Sequence, residues 1–519
     1  MALKTPHKEW RIARISAIDV KAVGLEQLLT NLWLRIMLEN RPWTREGPAY
    51  RTIADLANLI EHQAAGFEGF HAGGIAEAWL RADLCKVPKR KPAEFTVARP
   101  VHELAARIRN PRESGDSNAS LVVYEWLRHC APQVLAMLGD FIRIDTRSED
   151  LDLDAFALAL MGQELPPDVR KKDTPDALPA PLSVGQALIF ADDIRCLLAY
   201  RSVMPRAGLV EHLRRMMGLH LGLYMLRLCR LVVEVEKSGG EMGNCPFCKG
   251  ASLSEPRCRH RLSLVVDCGD EASGDMARLA EESWLTQEDY LGRYVRSHIA
   301  LRKLLEFGKD MMGLEDAAPL DVIARLESTA SVDRLDAYFV QRLGSLEDET
   351  GADVAARRAE YGALGRSPFR TYVDLLAHYS ERRWVSYHRF LLDSLFGKNT
   401  GEGLLRQPLG GRRRRRAVLS AGILETLCTI AVVSTVGGEH VTRPVRVSEL
   451  VRRLEDRYGL LITSPPEGRS DDPTVTKAFA LNAERLKARL RETGMFVEVS
   501  DAFLAQTVRP RYHLGGTSA

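Results

Sequence analysis

Apolar residues recur every three or four positions through most of this chain, the period at which side chains line one face of a helix. VGLEQLLTNLWLRIMLENR (23–41) and RTIADLANLIEHQAAGF (51–67) show the pattern first. It returns in YLGRYVRSHIALRKLLEFGKDMMGL (290–314) and YVDLLAHYSERRWVSYHRFLLDSLFG (372–397). LVEHLRRMMGLHLGLYMLRLCRLVVEVEK (209–237) is long and apolar, yet Arg214, Arg215, His220, Arg227 and Arg230 punctuate it. A bundle helix is expected there rather than a membrane span. The predicted fold class is mainly α.

Breaks in the pattern divide the chain. Residues 86–118 hold four prolines and 165–182 hold five, which mark a long loop and a linker. The expected units are an N-terminal helical domain (1–164), a proline-rich linker (165–182), a helical segment (183–240), a cysteine-bearing insertion (241–270), a second helical segment (271–398), a basic linker (399–416) and a C-terminal domain (417–519).

That last unit has a different rhythm. AVLSAGILETLCTIAVVS is an apolar helix. RVSELVRRLEDRYGLLI offers Ser448 as N-cap and Gly459 as stop. DDPTVTKAFALNAERLKARLRETG has Asp472 as cap, Pro473 at the first helical position and Gly494 as stop. MFVEVSD and TVRPRYHL alternate as a short hairpin does. Three helices followed by a hairpin is the order of a winged helix-turn-helix domain.

Charge sharpens this. The net charge is +3, but from Arg412 onward 18 Lys and Arg face 12 Asp and Glu, against 54 and 57 before it. A basic excess confined to the last fifth points to a polyanion as partner. On the helix over 474–493, Phe479, Leu486 and Leu490 are expected in the core and Asn482 beside them. Lys477, Arg485, Lys487, Arg489 and Arg491 are left to meet DNA, an arginine pairing with guanine in the major groove. Arg509 and Arg511 extend the contact as a wing, and Arg412, Arg413, Arg414, Arg415 and Arg416 form an arm along the backbone. A winged helix used for protein contacts is the alternative.

Composition is otherwise that of a folded protein, 45% hydrophobic and 27% charged. MALKTPHKEWRIARIS lacks the apolar core of a secretory signal. Nine cysteines, most of them isolated in helical patterns, suit a reducing cytoplasm. The exception is NCPFCKGASLSEPRCRH (244–260). Its two-residue gap lets Cys245 and Cys248 grip one ion, and zinc closes a tetrahedron with two more ligands. Cys258 and His260 are expected to complete it, with Cys268 an open alternative, since LSLVVDCGD reads as a strand with a buried thiol. A catalytic zinc deaminase carries His-X-Glu upstream of its cysteine pair. None lies close upstream of Cys245, so this zinc is expected to be structural. No GxxxxGK[ST], HExxH or GxSxG motif occurs, and a non-catalytic role is predicted.

NCPFCKG followed by RHRLSLVVDCGD, together with the basic C-terminal RYGLLITSPPEGRSDDPTVTKAFALNAERLKARLRETGMFVEVSDAFLAQTVRPRY, resembles accessory proteins of bacterial anti-phage defence clusters. In particular it resembles a component of the methylation-associated defence system. It implies a recognition or scaffold subunit working beside other defence subunits, and it transfers no catalytic residues. DNA recognition is the leading expectation, with an assembly scaffold next and a nuclease with a scattered site third. Native mass spectrometry is expected to find one zinc per chain; its loss on chelation should unfold the 241–270 segment first, and a metal-free native mass would contradict the site.

Overall fold

The computed structural model describes residues 10–12, 17–41, 43–45, 52–63, 77–78, 80–87, 93–94, 97–98, 115–143, 169–171, 178, 181, 183–237, 262–271, 273–314, 329–350, 352–408, 414–497 and 506–515. Among them the chain is mainly helical, as the periodicity predicts. The helices are α1 (Leu25–Met37), α2 (Ile53–Gln63), α3 (Ala119–Cys130), α4 (Pro132–Ile142), α5 (Val184–Leu198), α6 (Arg206–Lys237) and α7 (Asp275–Met312). They continue with α8 (Thr329–Thr350), α9 (Ala352–Ala363), α10 (Pro368–Leu395), α11 (Ala421–Ala431), α12 (Val447–Tyr458) and α13 (Pro473–Glu492).

The central rod is α6. By length and composition it is able to cross a membrane, but nearly all of it is buried inside the protein. α1, α5, α7, α10 and α11 pack around it. Its buried polar groups are met from neighbouring helices: His212 Nδ1 lies 2.8 Å from Thr426 Oγ1 on α11, and His220 Nε2 lies 2.8 Å from Asp193 on α5. Gly218 and Gly222 let the end of α10 come close. A Cβ on Gly218 would stand 2.6 Å from the Leu395 carbonyl, and one on Gly222 would stand 2.6 Å from the Phe396 ring.

Short strands complete the architecture. β1 (Trp43–Arg45) pairs with β4 (Val169–Lys171), and β2 (Cys85–Lys86) with β3 (Val97–Ala98). β4 lies inside the stretch read as a proline-rich linker. The main sheet joins distant segments in the order β11–β5–β7–β6, from β5 (Leu264–Asp267), β6 (Leu405–Arg406), β7 (Arg416–Val418) and β11 (Leu460–Leu461). β5 is parallel to both β11 and β7, while β6 runs antiparallel to β7. The apolar run of β5 is buried on both sides, which is how a central parallel strand reads. Val265 and Leu461 pack with Leu279 of α7 and Phe479 of α13 on one face, and Leu264 and Val266 join the main core on the other.

This sheet alters the expected partition. The 399–416 stretch supplies β6 and the start of β7 rather than a free linker, although 409–413 lie outside the described residues. The 417–519 unit contributes β11 and packs α13 on α7. It shares its sheet with β5, so it is not a separate body.

Within the C-terminal unit the order is α11, the hairpin β8 (Val433–Val436) and β9 (Glu439–Thr442), β10 (Val445–Arg446), α12, β11, α13, β12 (Phe496–Val497) and β13 (Thr507–Val508). β13 lies between β10 and β12, antiparallel to both. Asp472 caps α13 by accepting from Thr474 N–H at 2.9 Å, with Pro473 at the first position, as expected. Ser448 is not the cap of α12: that helix begins at Val447, which leaves Arg446 at the N-cap and Ser448 in the first turn. Gly459 ends α12 at φ 74°, and its missing Cβ admits the Leu262 carbonyl, 2.5 Å from where that atom would be.

Gly218 sits inside a helix, where alanine is normally favoured by about 1 kcal/mol. Here Gly218→Ala is expected to lower stability by about 1–3 kcal/mol, because a backbone carbonyl blocks the methyl. Chemical denaturation checks the sign.

Candidate functional site

The sequence places its candidate chemistry in the cysteine insertion and the C-terminal arginines. Cys245, Cys248, Cys258 and His260 lie outside the described residues. Cys268 follows β5 and is 1% exposed; burial pushes its thiol up, so it stays protonated. Its backbone is held by α13, with Cys268 N–H donating to Asn482 Oδ1 at 2.8 Å. Among the described residues no group of three His, Cys, Asp or Glu side chains is placed to hold a metal.

The arginines do something the pattern did not predict. The end of β5 and the turn after it carry Asp267, Asp270 and Glu271, and basic side chains from three separate segments converge there. Arg416 of β7 is 1% exposed, lies 3.3 Å from Asp267 Oδ2, and donates to the Glu271 carbonyl at 2.6 Å. Arg406 of β6 donates to Asp270 at 3.0 Å. Arg485 of α13 reaches Glu271 at 2.5 Å, and Arg489 donates to the Cys268 carbonyl at 3.2 Å. Gly269 makes room, since a Cβ there would meet Arg485 Cδ at 2.7 Å. Burial raises the pKa of Asp267, against the pull of the Gly269 N–H and Arg416.

The expected DNA face is therefore redistributed. Arg416 is a core residue, not part of an arm. Arg415 forks onto Asp393 at 2.8 and 3.0 Å. Lys487 is largely buried and reaches Glu484 at 2.7 Å, and Arg511 pairs with Glu425. Arg414, Lys477, Arg491 and Arg509 are exposed, with Arg491 stacked over the Phe496 ring at 5.4 Å. Arg412 and Arg413 lie outside the described residues. Asn482 is fully buried and donates to the Val266 and Ile462 carbonyls at 2.9 and 2.8 Å, which makes it the pin between α13 and the sheet. The outward face of α13 is mixed: Lys477, Leu481, Glu484, Ala488 and Arg491, with Leu481 half exposed.

A second polar cluster escaped the sequence because its members are far apart in the chain. Asp193 is fully buried and accepts from His220 at 2.8 Å, Tyr458 Oη at 2.8 Å and Arg457 Nε at 2.9 Å. Gln186 Nε2 lies 2.7 Å from His220 Nδ1. Burial opposes ionisation of Asp193, yet Arg457 and His220 outweigh it and hold its pKa below the usual value. His220 stays neutral because burial outweighs its carboxylate partner. The cluster ties α5 and α6 to α12. Beside it a cavity of about 400 Å³ is lined by Asp192, Cys196, Leu427, Arg452, Arg457 and Tyr458 among others. Burial raises the Cys196 thiol to about 12, which rules it out as a thiolate at neutral pH.

A mainly helical body closed by a small sheet, with Arg415, Arg416, Arg485 and Arg489 held inside it, defines a packed multi-segment protein. A family model described as methylation-associated defense system protein MAD7 matches residues 5–512, and the chain belongs to that family. No curated protein and no solved structure matches it.

Burial holds His212 and His388 to about 4 and His298 well below its ordinary value. The unfolded chain therefore binds protons first as pH falls. The stabilising effect of His212 and His388 is complete above about pH 6.5 and drains away towards pH 4, while that of His298 is lost only at lower pH. Denaturation midpoints across that window should fall with acid; a flat profile would contradict the burial of these rings.

Proposed function

We propose that this chain is a non-catalytic assembly subunit of a methylation-associated defence system. The single observation that carries this reading is the inward use of Arg485 and Arg489. The two arginines best spaced to read bases are committed to the turn after β5. What α13 offers outward is a strip centred on exposed Leu481 and flanked by both signs of charge, the make-up of a protein-docking face. A non-catalytic role is also supported by the strongly shifted groups, since Asp193, His220, His298 and His388 are sealed in the core. The expected structural zinc at Cys245, Cys248, Cys258 and His260 and a cytoplasmic location remain part of this reading.

DNA recognition by a winged helix stays as the second reading, favoured by the order α11, β10, α12, α13, β12, β13 with β13 central. The two separate cleanly. In the co-expressed defence complex, Leu481→Glu is expected to reduce recovery of the other subunits several-fold. Arg485→Ala with Arg489→Ala should lower the melting temperature and leave DNA affinity unchanged. Intact complex with Leu481→Glu, or a folded double variant that loses DNA binding, would overturn the assembly reading.

A further inference from the structure

Most described arginines of the C-terminal fifth meet a carboxylate, Arg453 at Glu449, Arg457 at Asp193 and Arg469 at Glu282 among them. Arg443, Arg446 and Arg509 do not. All three are exposed, and none has a side-chain partner among the described residues. The basic excess read from the sequence thus survives here, at Arg509, which the sequence placed on a wing, and at Arg446, which it did not single out.

The strand register brings Arg446 and Arg509 together. Val445 faces Val508 and Arg446 faces Thr507 across the β10–β13 ladder. Continuing one position sets Arg509 opposite Pro444. Side chains alternate along a strand, so Arg446 and Arg509 share the face opposite to Val445 and Val508, which are 4% and 0% exposed. Arg443, by contrast, prolongs the β8–β9 ladder, its N–H donating to the Val432 carbonyl at 2.9 Å, and does not belong to this face. Like charges gathered on one strand pair repel, and no carboxylate among the described residues relieves them here.

We infer that the outer face of β10 and β13 binds the phosphate backbone of a nucleic acid, without reading its sequence. A guanidinium fork matches phosphate oxygens two at a time, and such interactions position a polymer rather than identify it. A two-stranded ribbon is narrow enough to lie along a nucleic-acid groove. A membrane surface is the poorer match, because interfacial elements bring large apolar side chains and this face carries Thr507 and Pro444 instead. The inference is independent of the assembly reading, which rests on α13.

The test is fluorescence anisotropy of the full-length protein with a labelled random-sequence duplex across a salt series. Wild-type affinity should fall steeply with salt. Arg446→Gln with Arg509→Gln should weaken low-salt binding several-fold and reduce the salt slope by about one for each phosphate no longer neutralised. Both positions are exposed, so an unchanged melting temperature shows that the variant is folded, and the corresponding double lysine variant should keep most of the slope. Leu481→Glu should leave the slope untouched, which keeps failure of this face distinct from failure of the docking strip. Absence of duplex binding by wild type, an unchanged slope in the folded double variant, or a defect in that variant confined to phosphatidylserine vesicles would overturn the inference.

Discussion

Arg416 carries a full charge inside a sheet that is apolar on both faces, and that charge has to be balanced where it lies. Removing an ion from water costs several kcal/mol unless a partner and hydrogen bonds replace the missing hydration. The turn after β5 meets that need by charge more than by hydrogen bonds, since Arg416 Nε and Nη1 and Asp267 Oδ2 are buried without a hydrogen-bond partner among the described residues. Asp267, Asp270 and the Glu271 carbonyl surround the Arg416 guanidinium, and the same turn takes Arg406, Arg485 and Arg489. Strand order, the docking of α13 and the seat of the C-terminal unit all follow from this convergence. β7 could not lie beside β5, nor α13 cross the sheet so closely, if the turn were apolar.

The same constraint explains why function was harder to read than fold. Helices announce themselves by local period, and α6, α7, α10 and α13 fall where the apolar spacing puts them. Asp472, Gly459 and Gly494 act as the stops and starts their chemistry suggests. A free arginine and a paired one look alike in a sequence. Arg485 and Glu271 are distant in the chain, as are Arg457 and Asp193, so no window of local pattern shows that either charge is spent. Asn482 was legible among the site residues, because its spacing from Phe479 and Leu486 turns it to the apolar face, and so was the buried Cys268 thiol, because an apolar strand run leads into it. The β8–β9 hairpin left a local signal in Gly437 and Gly438, both at positive φ. β10 is only two residues long, and pairing with a distant strand rather than any pattern of its own makes it a strand.

Membership of a methylation-associated defence family sets the context in which these surfaces act. A subunit of such a system gains from being rigid where it joins its partners. The Asp193 cluster provides this, since α5, α6 and α12 share one fully buried carboxylate and cannot move apart without exposing it. Around that fixed frame, the α13 strip and the arginines of β10 and β13 point outward on different elements. One chain could hold neighbouring subunits and a nucleic acid at once without the two interactions competing.

Above all, the C-terminal arginines at the β5 turn are structural counter-charges, with Arg416 at their centre. The most direct test is a double-mutant cycle on Asp267→Asn and Arg416→Gln, read by urea unfolding. Each single change should cost about 3–5 kcal/mol, because it strands the other charge in the core. The pair should be coupled by at least about 1.5 kcal/mol, the double variant being less damaged than the sum. Additive effects within about 0.5 kcal/mol would contradict the claim, and would return these arginines to the surface as candidates for reading DNA.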